Sequence, residues 1–226
     1  MFSTRLGHQR GDNLRHASSE TKFGRGALLA FEWLGFTVEL AKRMSSDKLQ
    51  TILEQTWSGL AKATGQADHP WRLPALGAHG LNGPEVRTMV LRSVDPVTRQ
   101  LIAQTDVRST KVPGFRKDPR VAWHFFDPQT KVQVRANGRV TVHHDNEVTR
   151  AAWAAVPEAN RRNYATPTAP GLPVDDPSLG QAQAGDYTAA YANFTVLSAE
   201  ITFIDWLQLG DERHRRAQFV WTGSDW

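Results

Sequence analysis

The feature that most constrains the fold is a series of short β-rich runs, separated by turn signals, that begins at residue 71. The runs cover residues 71–80, 84–95, 100–106, 121–127, 131–144, 193–209 and 214–223. The turns between them include GLNG, DPVT and DPQT. Strands at hairpin spacing pair with their neighbours in antiparallel fashion, and closure of the sheet removes its exposed edges. The sequence therefore predicts a mainly β, α+β domain, a six-stranded antiparallel β-barrel with peripheral helices.

A helix is predicted before the β-rich part of the chain, over residues 45–66. Ser46 or Asp47 can cap its start. Apolar side chains recur there at helical spacing, which predicts a face packed on the core. These side chains are Leu49, Ile52, Leu53, Trp57 and Leu60.

A second helix is predicted over residues 145–156, after the run 131–144. Asp145 or Asn146 can cap it. Its apolar side is predicted to comprise Val148, Ala151, Ala152 and Ala155. Within the run 131–144, the dipeptide Asn137–Gly138 predicts a bulge or a tight bend. Residues 157–192 are rich in Pro, Gly and Ala, which indicates either a functional lid or a disordered connection.

Residues 1–43 differ in composition from residues 44–226. They are rich in Arg, Gly and Ser, and their seven basic against four acidic residues supply +3 of the formal net charge of +4. We expect residues 1–43 to be a disordered or misassigned N-terminal extension before a domain of residues 44–226, with an extra helix at 27–42 as the alternative. Because the remaining chain is nearly neutral, no nucleic-acid partner is expected.

The composition excludes several other classes of protein. The chain has no cysteine, which excludes disulfides, thiolate nucleophiles and cysteine metal sites. Its longest apolar stretch, residues 27–40, contains two glutamates and is shorter than the roughly 20 residues of a membrane helix. The adjacent His143 and His144 would project to opposite faces of a strand, so they make a poor metal pair. We expect a soluble, cytoplasmic protein with no membrane partner and no metal.

Polar side chains form three clusters on the β-rich runs: RTMVLR at 87–92, QTDVRSTK at 104–111 and VQVR at 132–135. On a strand, Arg87 and Arg92 would point to opposite faces. The hydroxyls, guanidinium and ammonium of QTDVRSTK are the groups that bind a phosphate monoester. They are also typical of a solvated helix start, so the cluster alone leaves both interpretations open.

The order of these motifs resembles the pyridoxamine 5'-phosphate oxidase superfamily, in particular its branch of pyridoxamine-phosphate-oxidase-related FMN-binding proteins. RTMVLR, QTDVRSTK, DPRVAWHF and QVRANGRV follow one another in the family's order, and DWLQLGDERHRRAQFVW resembles its C-terminal strand pair. The resemblance runs from about residue 48 to the end of the chain. It implies an FMN-binding split barrel, FMN as the cofactor, and a homodimer with FMN at the subunit interface.

The resemblance also implies roles for individual residues. Ser109, Thr110 and Lys111 would hold the 5'-phosphate, and Gln133 would reach the flavin ring across the subunit interface. The full set expected to contact FMN is Arg87, Met89, Val90, Leu91, Arg92, Gln104, Thr105, Ser109, Thr110, Lys111, Gln133, Trp206 and Gln218. A small anionic substrate would be held by Arg92, His214 and Arg216. No catalytic residue is assigned.

The sequence departs from the oxidases at several of these positions. Thr110 stands where they carry an arginine, for which Arg108 is expected to compensate, and Gln218 replaces a flavin-contacting arginine. The stand-ins for the substrate-phosphate residues are Trp153, Arg161, Arg162 and Tyr164. The implied reaction is oxidation of a primary amine or alcohol, such as a vitamin B6 phosphate, with the flavin reoxidised by oxygen. The alternatives are a non-catalytic flavin-binding module, or a split barrel that uses a deazaflavin or heme.

Overall fold

The computed structural model describes residues 46–80, 83–180 and 187–226. Its strands are β1 (Ala75–Gly80), β2 (Gly83–Thr88), β3 (Ser93–Asp95), β4 (Gln100–Asp106), β5 (Arg120–Asp127), β6 (Val132–His143), β7 (Phe194–Gln208) and β8 (Arg215–Val220). Its helices are α1 (46–65), α2 (Lys111–Lys117), α3 (Glu147–Ala154) and α4 (Glu158–Arg161). Three short 3-10 segments cover Arg162–Tyr164, Pro177–Gly180 and Thr188–Asn193. The prediction for residues 1–43 lies outside the described residues.

All eight strands join one antiparallel sheet with the order β2-β1-β5-β6-β7-β4-β3, and β8 pairs with the second half of β7. The two ends of this order, β2 and β3, are consecutive in the chain and are joined by only four residues, 89–92. The sheet must therefore curve back on itself. This confirms the predicted antiparallel barrel with peripheral helices. The predicted number of six strands is wrong, because the described residues form eight.

The predicted single strand 84–95 is two strands, because the chain changes its pairing partner between them. Thr88 is the last residue paired with β1. Met89 N then donates to Pro74 O at 2.9 Å, and Arg92 N donates to Ile102 O of β4 at 2.8 Å. Residues 89–92, which we call the crossing segment, thus connect a strand that pairs with β1 to a strand that pairs with β4.

The predicted bend at Asn137–Gly138 is confirmed as a register shift in the pairing of β6 with β7. Gly138 has no room for a side chain, because a Cβ atom there would lie 2.0 Å from Glu200 O. The bulge lets the twelve-residue strand β6 curve around the core while it stays paired on both sides.

The core lies inside the barrel and under α1. Its largest fully buried side chains include Trp123, Phe125, Leu60 and Leu76. The predicted apolar face of α1 is correct for Leu53, Trp57 and Leu60, which are buried, and for Ile52, which packs partly buried against the core. Leu49, in the first turn of α1, is 42% exposed. No helix among the described residues is both long and apolar enough to cross a membrane.

The capping prediction for α3 is confirmed, but its predicted apolar side is correct only for Ala152, which packs partly buried against a hydrophobic cluster. Asn146 Oδ1 accepts from Thr149 N at 3.1 Å and completes a capping box. Val148 is 43% exposed, whereas Thr149 is fully buried and donates to or accepts from Tyr191 Oη at 3.1 Å. The helix packs through Thr149 and Trp153, because the aromatic side chains of the segment before β7 cover that side.

Candidate functional site

The ammonium of Lys111 lies at the centre of a polar cluster at the end of β4. Lys111 is the first residue of α2, and its Nζ donates to Thr105 Oγ1 at 3.0 Å and to Ser109 Oγ at 2.5 Å. Thr105 and Ser109 are buried. The turn between β4 and α2 therefore brings a cation and two hydroxyls of QTDVRSTK together. We call Thr105, Ser109, Lys111 and the neighbouring Arg87 the Lys111 cluster.

The electrostatics of this cluster suit an anion. Burial lowers the pKa of Lys111, and the nearby positive charge of Arg87 lowers it further, against the opposing effects of Asp106 and Glu85. Arg87 itself forms an ion pair with Glu85. Among the described residues, no carboxylate forms an ion pair with Lys111. A partly buried cation without a carboxylate partner is stabilised when an anion binds beside it.

Arg108 does not belong to the cluster, contrary to the expectation that it compensates for Thr110. Its Nη2 lies 2.7 Å from Asp106 Oδ2 and 3.0 Å from Thr166 O. The hydrogen bond to Asp106 raises the pKa of Arg108. The Thr110 side chain is exposed, and no hydrogen bond caps α2 through it. Arg108 instead ties the end of β4 to the loop after the 3-10 segment Arg162–Tyr164.

The crossing segment next to the cluster alternates between buried and partly exposed side chains. Met89 is 7% exposed and Leu91 is fully buried, both within the hydrophobic core. Val90 and Arg92 are partly exposed. Since the apolar side chains of Met89 and Leu91 are committed to the core, any contact that these two make with a cofactor comes from their backbone.

A cavity of about 210 Å³ adjoins the crossing segment. Arg92 and Gln104, both predicted site residues, line it together with Tyr164. Burial raises the pKa of Tyr164, whereas the positive charge of Arg92 acts to lower it. Because burial is the larger effect, the phenol stays neutral and can donate a hydrogen bond. The Nε atom of Arg92 is buried without a hydrogen-bond partner among the described residues.

Sequence reasoning missed three polar lining residues of this cavity, Arg72, Asn160 and Asn163. Arg72 lies far from any recognised motif, in a segment read only as part of a strand. Its Nη1 donates to Thr64 O at 2.6 Å and to Leu91 O at 2.7 Å. Of the four suggested stand-ins, only Tyr164 lines the cavity. Trp153 packs edge-on against Tyr164, Arg161 lies over the Trp153 ring, and the exposed Arg162 is not among the lining residues.

A second group of predicted residues lies on the outer face of the sheet. Gln133 Oε1 and His124 Nε2 are 3.1 Å apart, which pairs β6 with β5. Beside them, the buried Asp205 carboxylate accepts from Arg216 Nε at 2.8 Å and Nη2 at 2.7 Å, and it also pairs with Arg135. Hydrogen bonds from Arg216 and Arg135 lower the pKa of Asp205 to about 2.

The remaining predicted residues lie apart from one another. Gln218 is exposed opposite Asp205 on the same outer face. His214 is exposed in the loop before β8, where its Nδ1 accepts from Gly210 N at 3.2 Å. Trp206 faces the inside of the sheet, 9% exposed, and lines a different cavity of about 620 Å³ between α1 and β7. Trp206 and Gln133 are therefore on opposite faces of the sheet and cannot contact one ligand from the same side.

Comparison with known proteins identifies the family of this arrangement. A family model described as pyridoxamine 5'-phosphate oxidase, FMN-binding domain, matches residues 48–144. The Arabidopsis thaliana protein pyridoxine/pyridoxamine 5'-phosphate oxidase 2 is 30% identical over 145 residues, which span 59% of this chain and 72% of that protein. The chain belongs to the pyridoxamine 5'-phosphate oxidase family. The matched range contains the Lys111 cluster, the crossing segment and Gln133.

Two solved structures have a fold similar to that of this chain. A pyridoxamine 5'-phosphate oxidase-related, FMN binding protein from Nostoc punctiforme has a TM-score of 0.62 at 23% identity, covering 75% of this chain and 91% of that one. PhzG from Burkholderia lata has a TM-score of 0.59 at 19% identity, covering 78% and 88%. Both similarities extend past residue 144 in coverage, so the split barrel includes more of the chain than the matched family model.

Proposed function

We propose that the protein is an FMN-dependent oxidoreductase that oxidises a primary amine or alcohol bearing an anionic group, with pyridoxamine or pyridoxine 5'-phosphate as candidate substrates. The observation that carries the proposal is the Lys111 cluster, an ammonium between two buried hydroxyls with no carboxylate partner among the described residues. Membership of the pyridoxamine 5'-phosphate oxidase family is the reason for proposing FMN as the cofactor. The donors of the cluster fit the dianionic 5'-phosphate of FMN.

The chain's own residues would bind and orient, because the cofactor supplies the redox chemistry. When bound, FMN would supply the redox chemistry, with the substrate as hydride donor and oxygen as the final electron acceptor. Lys111, Thr105 and Ser109 would hold its phosphate. The backbone of the crossing segment would present a rigid edge to the ring, since Met89 and Leu91 anchor that backbone in the core.

The cavity beside the crossing segment would take the anionic group of the substrate. Arg92 offers a buried Nε without an acceptor, and Tyr164 offers a neutral hydroxyl. Among the described residues that line it, there is no aspartate, glutamate or histidine. The cavity would therefore position the substrate and contribute no general base. The exposed Arg216, fixed by Asp205, would hold an anionic substrate from the outer face.

We propose a homodimer that completes the site. Gln133 lies on the outer face of β6, and Arg216 and Gln218 lie on the outer face of β8, whereas Arg87 lies on the inner face of β2. Since β1 and β5 separate β2 from β6, Gln133 is about 14 Å from β2 along the sheet, and β8 lies two strands farther away. A second copy that presents its outer face to the Lys111 cluster would bring both groups to one flavin. Light scattering of the purified protein tests the expected dimer mass.

The absorption spectrum of purified protein, before and after incubation with FMN and desalting, tests the cofactor. We expect two flavin bands that survive desalting. Anaerobic addition of pyridoxamine 5'-phosphate then tests the reaction, with unphosphorylated pyridoxamine as the matched control. Bleaching by the phosphate ester alone would support the proposal. Flavin bands that no amine or alcohol bleaches would favour a non-catalytic flavin-binding module, and a spectrum without flavin bands would favour a deazaflavin or heme.

A further inference from the structure

We propose that the cavity of about 620 Å³ between α1 and β7 is a second ligand site, which binds a flat aromatic carboxylate. We call it the α1 cavity. Its lining comes from α1, from His69 and Trp71, and from the adjoining ends of β5, β6, β7 and β8. None of its lining residues belongs to the Lys111 cluster or to the cavity beside the crossing segment. The proposal is therefore independent of the proposed function.

Two tryptophan side chains form most of the apolar lining. Trp71 is 7% exposed and Trp206 is 9% exposed, and Ile52 and Val132 line the cavity with them. The volume lies within the range of about 300–1,000 Å³ that is usual for small-molecule pockets. Indole rings pack favourably against other flat rings, in offset or edge-on contact. An aromatic ligand therefore matches this lining better than an aliphatic ligand does.

Trp71 is held from several sides, so this wall of the cavity is formed before a ligand binds. Its ring packs against Gly59 of α1, where a Cβ atom would lie 2.6 Å from the indole. Its ring centre lies 6.1 Å from that of Phe125, and its backbone N donates to His69 Nδ1 at 3.1 Å. A glycine inside a helix is unfavourable relative to alanine. Here it lets the indole approach the helix closely.

The two carboxylates of the lining are already engaged by neighbouring residues. Asp127 Oδ1 accepts from Gln129 N at 2.9 Å, and Asp127 Oδ2 accepts from Thr130 Oγ1 at 2.7 Å. Glu54 Oε1 accepts from Gln50 Nε2 at 2.9 Å. Within the described part of the chain, neither carboxylate forms an ion pair. The cations of the lining are therefore not neutralised by its acids.

Those cations are Lys62 and Arg215. Lys62 is exposed and makes no hydrogen bond or ion pair with any described residue. Arg215 Nη1 donates to Gln208 Oε1 at 3.3 Å, and its guanidinium lies 5.6 Å from the ring centre of Trp206. Because His69 Nδ1 accepts a backbone hydrogen bond, its Nε2 carries the proton and is a further donor. The lining thus combines indole rings with donors suited to an anion.

A flat aromatic carboxylate matches both parts of this lining. Its ring would pack against Trp71 and Trp206, and its carboxylate would accept from Lys62 and Arg215. Since α1 supplies one wall and the strand ends supply the other, an occupant would also hold α1 against the barrel. Binding to the folded chain alone should therefore raise the melting temperature of the protein.

Calorimetric titration with 2-naphthoate and with 2-naphthamide tests the proposal. The two probes share a ring system and are similar in size, but only naphthoate is charged at neutral pH. The full chain is first saturated with FMN, so that the flavin site is filled. We expect naphthoate to bind at least about tenfold more tightly than naphthamide, and to raise the melting temperature. No binding of naphthoate, equal affinities for the two probes, or displacement of FMN would overturn the proposal.

Substitutions in α1 and β8 locate the bound probe. Gln55 is exposed and lines the cavity, so Gln55→Trp should fill the cavity and abolish naphthoate binding without disturbing the core. Lys62→Met and Arg215→Gln should each reduce the preference for naphthoate over naphthamide. Lys48→Met is the control, since Lys48 is exposed on α1 outside the lining and its loss should change neither affinity. An unchanged affinity in Gln55→Trp, or an unchanged preference in both charge variants, would reject the site.

A failure of the proposed function gives a different result. If the protein retains no FMN, the same titrations are run on the chain as purified. Naphthoate binding that is lost in Gln55→Trp and is unchanged in Lys111→Met would support the α1 cavity without a flavin. Binding that is lost in Lys111→Met and unchanged in Gln55→Trp would assign the probe to the Lys111 cluster and overturn the proposal.

Discussion

Lys111 Nζ lies 3.0 Å from Thr105 Oγ1, which joins the first residue of α2 to the last part of β4. The two residues are six positions apart, and the turn between them buries Ser109 and places its hydroxyl on the same ammonium. Residues 105–111 thus place several hydrogen-bond donors close together at the end of β4. These donors form the proposed binding site for the phosphate of FMN.

Replacement of Lys111 by methionine tests the cluster directly. Methionine has a similar length but no charge, so the phosphate of FMN would lose its cation. We expect the affinity for FMN to fall about 10- to 100-fold, the equivalent of a lost charged hydrogen bond. Fluorescence titration of FMN measures it. Lys117→Met is the control, since Lys117 is exposed in the last turn of the same helix and its loss should leave the affinity unchanged.

The pH dependence of FMN binding should reflect the lowered pKa of Lys111. Because burial and Arg87 lower this pKa, Lys111 loses its proton at a lower pH than an exposed lysine does. Affinity for FMN should therefore be full at neutral pH and decline as the pH rises into the alkaline range. In Lys111→Arg the guanidinium stays charged throughout that range. A decline of the same size in wild type and Lys111→Arg would contradict the assignment to Lys111.

Asp205 should contribute stability that acid removes. Its pKa lies at about 2, below its ordinary 3.8, because Arg216 and Arg135 favour the ionised carboxylate. The contribution is therefore complete above about pH 4 and is lost as the pH falls towards 2. We expect Asp205→Asn to lower the free energy of unfolding by about 1–2 kcal/mol at neutral pH. The difference in this free energy between the variant and the wild type should become smaller below pH 4. Urea unfolding across this range measures it.

Asp211→Asn is the matched control for the Asp205 prediction. Asp211 pairs with Lys131 at 2.8 Å, but its side chain is 91% exposed. Exposed ion pairs contribute little to stability. The free energy of unfolding should therefore change little at any pH. Equal effects of the two substitutions would mean that burial of Asp205 under its arginines has no energetic consequence.

The bulge at Gly138 should tolerate no side chain. A Cβ atom at this position would lie 2.0 Å from the backbone oxygen of Glu200, so β6 and β7 would have to separate locally. We expect Gly138→Ala to lower the free energy of unfolding by about 1–3 kcal/mol. Gly65→Ala is the control, because a Cβ atom there meets nothing within 4 Å and the change should be neutral or slightly stabilising. Thermal melts of both variants decide the point.

The strands and the bulge could be predicted from the sequence because each depends on local chemistry. Alternating side chains, turn residues and Asn137–Gly138 are all visible over a few positions. The break between β2 and β3 could not be predicted, because it depends on where residues 89–92 leave β1, near Pro74, to join β4, which is a property of the assembled barrel. The exposed Val148 was misjudged for a similar reason, since the segment that covers α3 lies some 40 residues later.

The candidate site, too, could be predicted from the sequence only in part. Thr105, Ser109 and Lys111 are near in sequence and are near in space, so their grouping was predictable. Arg72 was missed because its approach to Leu91 is set by how α1 and β1 pack, which no local pattern reports. The inward orientation of Trp206 follows from its register with Val134 and Ala217, a property of the assembled sheet.

A comparison of the affinities of FMN and riboflavin for the purified protein tests directly whether the Lys111 cluster holds the phosphate of the cofactor. The two ligands share the ring system and differ in the 5'-phosphate. If the Lys111 cluster holds that phosphate, FMN should bind at least about 100-fold more tightly, and Lys111→Met should remove most of the difference. Equal affinities for FMN and riboflavin, or a preference unchanged by Lys111→Met, would contradict the account.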